Sequence, residues 1–271
     1  MPLPSLLPLV IGLAAGLLVS AAAYRIGALT PSGFWAAAIT GGLVFGLGGW
    51  PWAALLLTFF ITSSGLSKAF ARRKRPLDEK FAKGSRRDAG QVLANGGLAA
   101  LLALGLARWP EAAALWVLAT GALAAVNADT WATELGVLSP TAPRLITTGR
   151  PTERGASGAI SLVGTLAGFG GALLVGSVAA LAQPHLAAGL VLAAGLGGLG
   201  GALVDSLLGA TLQAIFYCPT CQKETERTPL HLCGTPTLPY RGLPWLDNDW
   251  VNFLCSLAGA LFTWGLWRLF T

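Results

Sequence analysis

Apolar stretches of about twenty residues recur from one end of this chain to the other, parted by short segments that carry most of its charge. A hydrocarbon core about 30 Å thick takes about 20 apolar residues per helical crossing, so repeated runs of that length point to membrane spans rather than to a soluble core. Eight stretches are read, at about 5–23, 30–48, 51–70, 88–107, 111–137, 157–182, 186–214 and 249–270. Only 11% of the 271 residues are charged, against roughly 25% in an average soluble domain. The expectation is an all-α, polytopic integral membrane bundle of about eight transmembrane helices, forming a single domain over residues 1–271. The first stretch has no basic residue ahead of it and no clear small-x-small exit site before Tyr24, so it is read as a span and not as a cleaved signal. Glycine-rich runs such as Gly195 to Gly201 let helix backbones approach closely.

The basic residues suggest an orientation. With the 68–87, 138–156 and 215–248 loops on the cytoplasmic side together with Arg25, sixteen of the eighteen lysines and arginines share one face, leaving Arg108 and Arg268 opposite. This is the asymmetry the positive-inside rule expects. It places both termini outside and the protein as a multi-pass component of the inner cell membrane. The net charge of +6 is then a topology signal, not a nucleic-acid footprint.

Charge inside a membrane is costly, roughly 3 kcal/mol or more per residue at mid-depth, so each buried acid needs a reason. Asp129, Glu134, Asp205 and Asp249 all fall within or at the edge of stretches, at depths that agree if their ends are cytoplasmic. Asn127, Thr130 and Glu134 share one helical stripe, with Asp129 and Thr133 on the adjoining one. Asp88, Gln91 and Asn95 line a face of the fourth stretch, and Asp249, Asn252 and Ser256 a face of the last. The plainer alternative for Asp88 and Asp249 is helix capping or headgroup solvation.

Two basic, glycine-containing segments come to the same face: KGSRRDAGQVLANGG (Lys83 to Gly97) and PRLITTGRPTERGASGAIS (Pro143 to Ser161). In the second, Arg144, Arg150 and Arg154 precede Gly155, Ser157 and Gly158 just ahead of a helix. Free amides at a helix start and forked guanidinium groups both suit phosphate oxygens. Carboxylates that hold Mg²⁺ opposite such donors are the parts phosphoryl transfer requires. The site is therefore expected to bring a Mg²⁺-nucleotide to a lipid-borne phosphate at the cytoplasmic membrane face, with Asp129, Glu134 and Asp205 as metal ligands and Asp249 beside them. Lys83, Arg86, Arg87, Arg144, Arg150 and Arg154 would neutralise donor and acceptor charge.

The 215–248 loop holds CPTC (Cys218, Cys221) and HLC (His231, Cys233), four ligand types suited to a structural Zn²⁺. Reduced thiols in an ordered loop are the alternative, and Cys255 is read as a packed residue. Trp50, Trp52, Trp109, Trp245, Trp250, Trp264 and Trp267 fall near span ends and read as an aromatic belt, with Trp131 the exception.

GSRRDAGQVLANGG, NADTWATELG, PRLITTGRPTERGASGAIS, the Asp205–Ser206 stretch with Gly209, and GLPWLDNDWVNF together resemble the transmembrane family that includes the plant phytyl-phosphate kinase of tocopherol synthesis. The resemblance covers most of the chain from about Lys83 to Phe253, and more distantly extends to dolichol and phytol kinases and CDP-diacylglycerol synthases. It implies a helical membrane enzyme that phosphorylates a prenyl monophosphate to the diphosphate with CTP as donor. The positions it marks are Lys83, Arg86, Arg87, Asp88, Gln91, Asn95, Asn127, Asp129, Thr130, Glu134, Arg144, Thr147, Thr148, Gly155, Ser157, Gly158, Asp205, Asn248, Asp249 and Asn252. Its Cys/His loop departs from the compact His-Cys pair expected there. The competing readings are a transporter of an ion or phosphorylated metabolite, in which polar residues should cross the full membrane depth, and a lipid cytidylyltransferase or prenol kinase sharing the same site chemistry.

Overall fold

The computed structural model describes residues 6–74, 79–110 and 112–271. Residues 75–78 of the expected 68–87 loop, residue 5 of the first stretch and residue 111 of the fifth lie outside the described residues. Among the described residues the α-helices are seven: α1 (Leu7–Arg25), α2 (Pro31–Lys74), α3 (Ala89–Gly105), α4 (Ala113–Gly136), α5 (Leu162–Ala182), α6 (Leu190–Thr211) and α7 (Asn248–Phe270). Six are long and apolar enough to cross a membrane, and α3 is a shorter apolar helix.

At 44 residues α2 would be about 66 Å long if straight, twice a hydrocarbon core. It is broken at Gly49, whose φ of 67° and ψ of −162° belong to a region open essentially to glycine alone. Pro51 follows and helps to end the first limb. The second limb folds back on the first: Arg87 hydrogen-bonds the backbone of Ala28 and Thr30 just before α2 begins, while its guanidinium lies over the Phe59 ring of the second limb, 4.8 Å away. Taken as two limbs, α2 accounts for the second and third apolar stretches.

The boundaries differ from the sequence reading mainly where glycine-rich polar loops feed helices. α5 starts at Leu162 and not at 157, because Ser161 caps it by accepting from the Gly164 amide. α7 is capped by Asp247, which accepts from the amides of Asp249 and Trp250. Asp88 caps α3 in a reciprocal box with Gln91.

Helix α4 is the axle of the bundle, packed against α2, α3, α5, α6 and α7 and buried without interruption from Ala119 to Ala128. Trp52 belongs to this core, 4% exposed and edge-on to Trp116 at 5.7 Å, so it is not a belt residue. Trp50, Trp109, Trp245 and Trp250 are exposed. Trp131 donates to the Thr62 hydroxyl at 3.3 Å, and Ser63 is bonded to the Phe59 carbonyl; both act in packing.

Two loops contain short strands that the helical reading did not anticipate. β1 (Arg144–Leu145) pairs antiparallel with β2 (Ala159–Ile160). β3 (Ile215–Cys218), β4 (Lys223–Thr225) and β5 (Leu238–Arg241) form a small antiparallel sheet in the order β4-β3-β5. The run Ile-Phe-Tyr-Cys in β3 combines β-branched and aromatic residues favoured in strands.

Candidate functional site: an acid-walled chamber at one end of the bundle

The acidic wall follows from how three helices touch. Gly121 of α4 and Gly197 of α6 both abut Thr263 of α7, and one turn on, Ala125 abuts Gly201. A Cβ at Gly201 would lie 2.6 Å from that of Ala125 and 2.7 Å from the Cys255 carbonyl oxygen, so no larger residue fits. The offset between the helices is 76 residues at both levels (197 − 121 and 201 − 125), meaning that α4 and α6 run parallel and in register. One turn further, about 6 Å along both axes, the same offset pairs Asp129 with Asp205. Their charges act on each other, and the Oδ2 of Asp205 is buried with no hydrogen-bond partner among the described residues. Glu134, buried on α4, accepts a 2.6 Å hydrogen bond from Ser67 of the second limb of α2.

The opposite side is cationic. Lys83 is paired with Asp88 at 2.9 Å and with Asp249. Burial works against its charge, but these two carboxylates outweigh it and hold its pKa above the ordinary lysine value. Arg87 is pulled down to about 10 by burial, with the charge of Glu134 opposing, and so keeps its proton at neutral pH. The 143–160 segment closes a third side. Gly155 and Gly158 have φ of 76° and 82°, and Gly158 passes so close to α6 that a Cβ there would lie 2.6 Å from the Ala210 nitrogen.

These parts enclose a chamber of about 610 Å³. Of the residues singled out in the sequence, Lys83, Arg87, Gln91, Asn95, Asp129, Thr130, Glu134, Arg154, Gly155, Ser157, Gly158, Asp205, Asn248 and Asn252 line it. The first turn of α5, with Ser161, Gly164 and Thr165, also borders it, which turns the positive end of a helix toward its contents.

Other expected residues sit elsewhere, each for a visible reason. Asp249 is set back from the chamber and holds Lys83, and Asp88 is occupied as a cap and as the second partner of that lysine. Asn127 is fully buried, donating to the Gly171 carbonyl and accepting from Thr62. Arg86 donates to the Leu29 carbonyl. Arg144 is spent on the Gly149 carbonyl at 2.7 Å, and with Thr147, Thr148 and Arg150 it lies exposed in the β1–β2 hairpin. Arg154 borders the chamber but donates to the carbonyls of Val137 and Ser139 beyond the end of α4.

Sequence reasoning missed Ser67, Gln213 and Glu226, all of which line the chamber. Gln213 bridges Ser157 and Glu226, at 2.9 and 2.8 Å. Gln213 lies just past the end of α6, within the stretch at 186–214 and in step with Asp205 and Gly209 at intervals of four residues, whereas Glu226 lies on no apolar stretch and only the return of the 215–248 segment onto the bundle brings it there.

A second, apolar cavity of about 150 Å³ lies between α1, the two limbs of α2 and α3. Its walls are residues such as Val19, Phe45, Leu56 and Phe60, and it shares Arg87 and Asn95 with the polar chamber.

Cys218, Cys221, His231 and Cys233 converge, their ligand atoms all within 4.8 Å of one another. The Thr235 hydroxyl and His231 draw the Cys233 thiol down to about 6, while its bond with Cys233 pushes Cys221 up to about 11. Cys255 lies apart, buried in α7.

Fold and chamber define an α-helical integral membrane protein with a charged cavity at one end of its bundle. The chain belongs to the integral membrane protein DUF92 family, which it matches over residues 14–260. It is 35% identical to Protein PGR of Arabidopsis thaliana over 238 residues, covering 79% of this chain and 81% of that one. An uncharacterized membrane protein of Methanocaldococcus jannaschii is 37% identical over 170 residues, 61% of this chain and 66% of its own. One from Synechocystis is 28% identical over 241 residues, 88% and 82% respectively. No solved structure matches the chain.

Proposed function

We propose that the protein is a Mg²⁺-dependent phosphotransferase that moves the γ-phosphoryl group of CTP onto a prenyl monophosphate of the phytyl type, giving CDP and the prenyl diphosphate. One observation carries this reading: Arg87 and Asn95 border both the acid-walled polar chamber and the apolar cavity among α1, α2 and α3. Such a junction suits a ligand with a phosphate at one end and a hydrocarbon at the other. The volume of about 150 Å³ takes only the first part of a tail, leaving the rest in lipid.

In this reading Arg87 holds the acceptor phosphate at the junction. Lys83, fixed by Asp88 and Asp249, faces the nucleotide phosphates across the chamber, and the first amides of α5 add donors at its rim. The acidic side suits a divalent cation, because Asp205 has a buried oxygen in want of a partner beside the charge of Asp129. Mg²⁺ held there by Asp129, Asp205 and Glu134 would supply charge neutralisation of the phosphate oxygens. A monophosphate with a second pKa near 6 is largely dianionic at neutral pH. Its oxygen forms the new bond to the γ-phosphorus, the bond from that phosphorus to the β-bridging oxygen breaks, and CDP leaves with the electron pair. No base is required, so the residues act by positioning and electrostatic stabilisation.

The buried core formed by Val44, Trp52, Leu55, Trp116 and Val117 supports an enzyme over a transporter, since it fills the end of the bundle remote from the chamber. The orientation proposed is that of the sequence reading: eight crossings, both termini outside, and the chamber facing the cytoplasm of the inner cell membrane. The test is to incubate detergent-purified protein with Mg²⁺, CTP or ATP, and a panel of prenols and prenyl phosphates, and to identify both products. CDP with prenyl diphosphate is expected. Pyrophosphate with a CDP-lipid would reassign the protein as a cytidylyltransferase, and substrate flux in proteoliposomes without turnover would make it a transporter.

A further inference from the structure

The small sheet β3–β4–β5 has little to hold it together from within. Leu230, Leu232, Leu238 and Tyr240 are each more than half exposed, and segments this short rarely stand without a crosslink or a metal. What lies at one end of it, at the turn from β3 to β4, is the Cys/His cluster. Sγ of Cys218 is 3.6 Å from Sγ of Cys233, Sγ of Cys221 is 3.5 Å from Nδ1 of His231, and that nitrogen is 3.3 Å from Sγ of Cys233. A tetrahedron with Zn–S near 2.3 Å and Zn–N near 2.0 Å has edges of about 3.8 Å between sulfurs and about 3.5 Å between sulfur and nitrogen. These three separations stand within a few tenths of an ångström of those edges, all four ligand atoms lie within 4.8 Å of one another, and His231 is buried with Nδ1 turned toward the sulfurs.

The same sheet grips the segment that leads to Lys83. Lys223 pairs with Glu79 at 2.6 Å. The Thr225 hydroxyl donates to the Glu79 carbonyl at 2.6 Å. The Glu226 amide donates to the Lys80 carbonyl at 2.8 Å, and the Glu226 carboxylate accepts from the Ala82 amide at 3.3 Å. These four contacts come from β4 and the residue after it, five to eight positions before His231 in the chain and two to five after Cys221.

We propose that Cys218, Cys221, His231 and Cys233 bind one Zn²⁺, and that this ion is the clasp that keeps β4 shaped to hold residues 79–83 at the edge of the chamber. The ion does no chemistry on substrate and has no open position, as structural sites of four protein ligands do not. Without it β4 loses its anchor at Cys221, and residues 79–83 lose their backbone partners while the helices stay packed. The inference stands independently of the phosphotransferase reading.

The experiment uses the full-length protein in detergent and reads metal and local exposure, not turnover. Elemental analysis should give one zinc per chain in the wild type and in Cys255→Ser, and a loss of nearly all of it in Cys221→Ser and His231→Ala. Because a variant can misfold, apo wild type made with a chelator is titrated with Co²⁺, which should yield the intense visible bands of tetrahedral thiolate coordination. Limited trypsin digestion should cut after Lys80 and Lys83 at least about tenfold faster in apo protein than in the zinc-reloaded sample, as expected for a locally released segment. Zinc-free wild type purified from zinc-replete cells, or Co²⁺ spectra lacking thiolate character, would overturn the site. Bound zinc whose removal leaves cleavage unchanged would overturn the clasp.

Discussion

The two sides of the chamber are built by opposite means. Its acidic side is a product of helix packing: Gly201 against Ala125 and Gly259 against Gly121 bring α4, α6 and α7 into backbone contact, and the register alone sets Asp129 beside Asp205. Its cationic side is held by polar contacts between segments far apart in sequence, with Lys83 fixed by Asp249 and residues 79–82 by β4. A wall of apposed helices resists distortion because every atom is close-packed. A roof of partly exposed ion pairs is individually weak and can yield locally without unfolding the whole.

The comparison can be broken first at the wall. Asp129→Asn should lower turnover by about 10²–10³-fold, the scale on which removal of a single stabilising group at the reacting centre acts, with the melting transition in detergent kept. Wild-type turnover in that variant would remove the acids from the chemistry. Next comes Gly201→Leu, which inserts a side chain where a single Cβ is already too close. It should destabilise the bundle by about 1–3 kcal/mol and abolish Mg²⁺-dependent turnover, read by thermal denaturation and product assay together.

At the roof the effects should be smaller and confined to substrate binding. Lys83→Ala should raise KM for the nucleotide about tenfold, the worth of one charge-assisted contact, with little change in melting temperature. Lys223→Ala removes an exposed pair, and both turnover and melting temperature should stay at wild-type values. A roof substitution that unfolds the bundle, or a wall substitution that changes only KM, would erase the distinction.

The same contrast explains what the sequence disclosed. Apolar stretches and the positions of Asp129, Glu134 and Asp205 are readable because helical spacing is regular, and the gap between the second and third stretches coincides with the Gly49 break in α2. The clustering of cysteines with His231 was readable from spacing. Trp52 was misplaced because a tryptophan near a helix end can face inward to another ring as well as outward to lipid. Helix depth alone places Asp249 beside the metal ligands and does not reveal that Lys83 already claims it. Glu226 gives no periodic signal, since a folded-back loop and not a helix brings it to the chamber, while Gln213 continues the Asp205–Gly209 spacing just beyond the end of α6. Arg144 and Arg150 looked like phosphate binders by composition, but the β1–β2 hairpin turns that end of the loop outward.

The most direct measurement is Mn²⁺ binding, as a paramagnetic substitute for Mg²⁺, to the purified protein without nucleotide, followed by electron paramagnetic resonance. The account predicts saturable loss of the free-ion signal with wild-type protein and its near-complete recovery in Asp129→Asn and Asp205→Asn alike, because one ion needs both helices. Equal Mn²⁺ binding by wild type and both variants would contradict it.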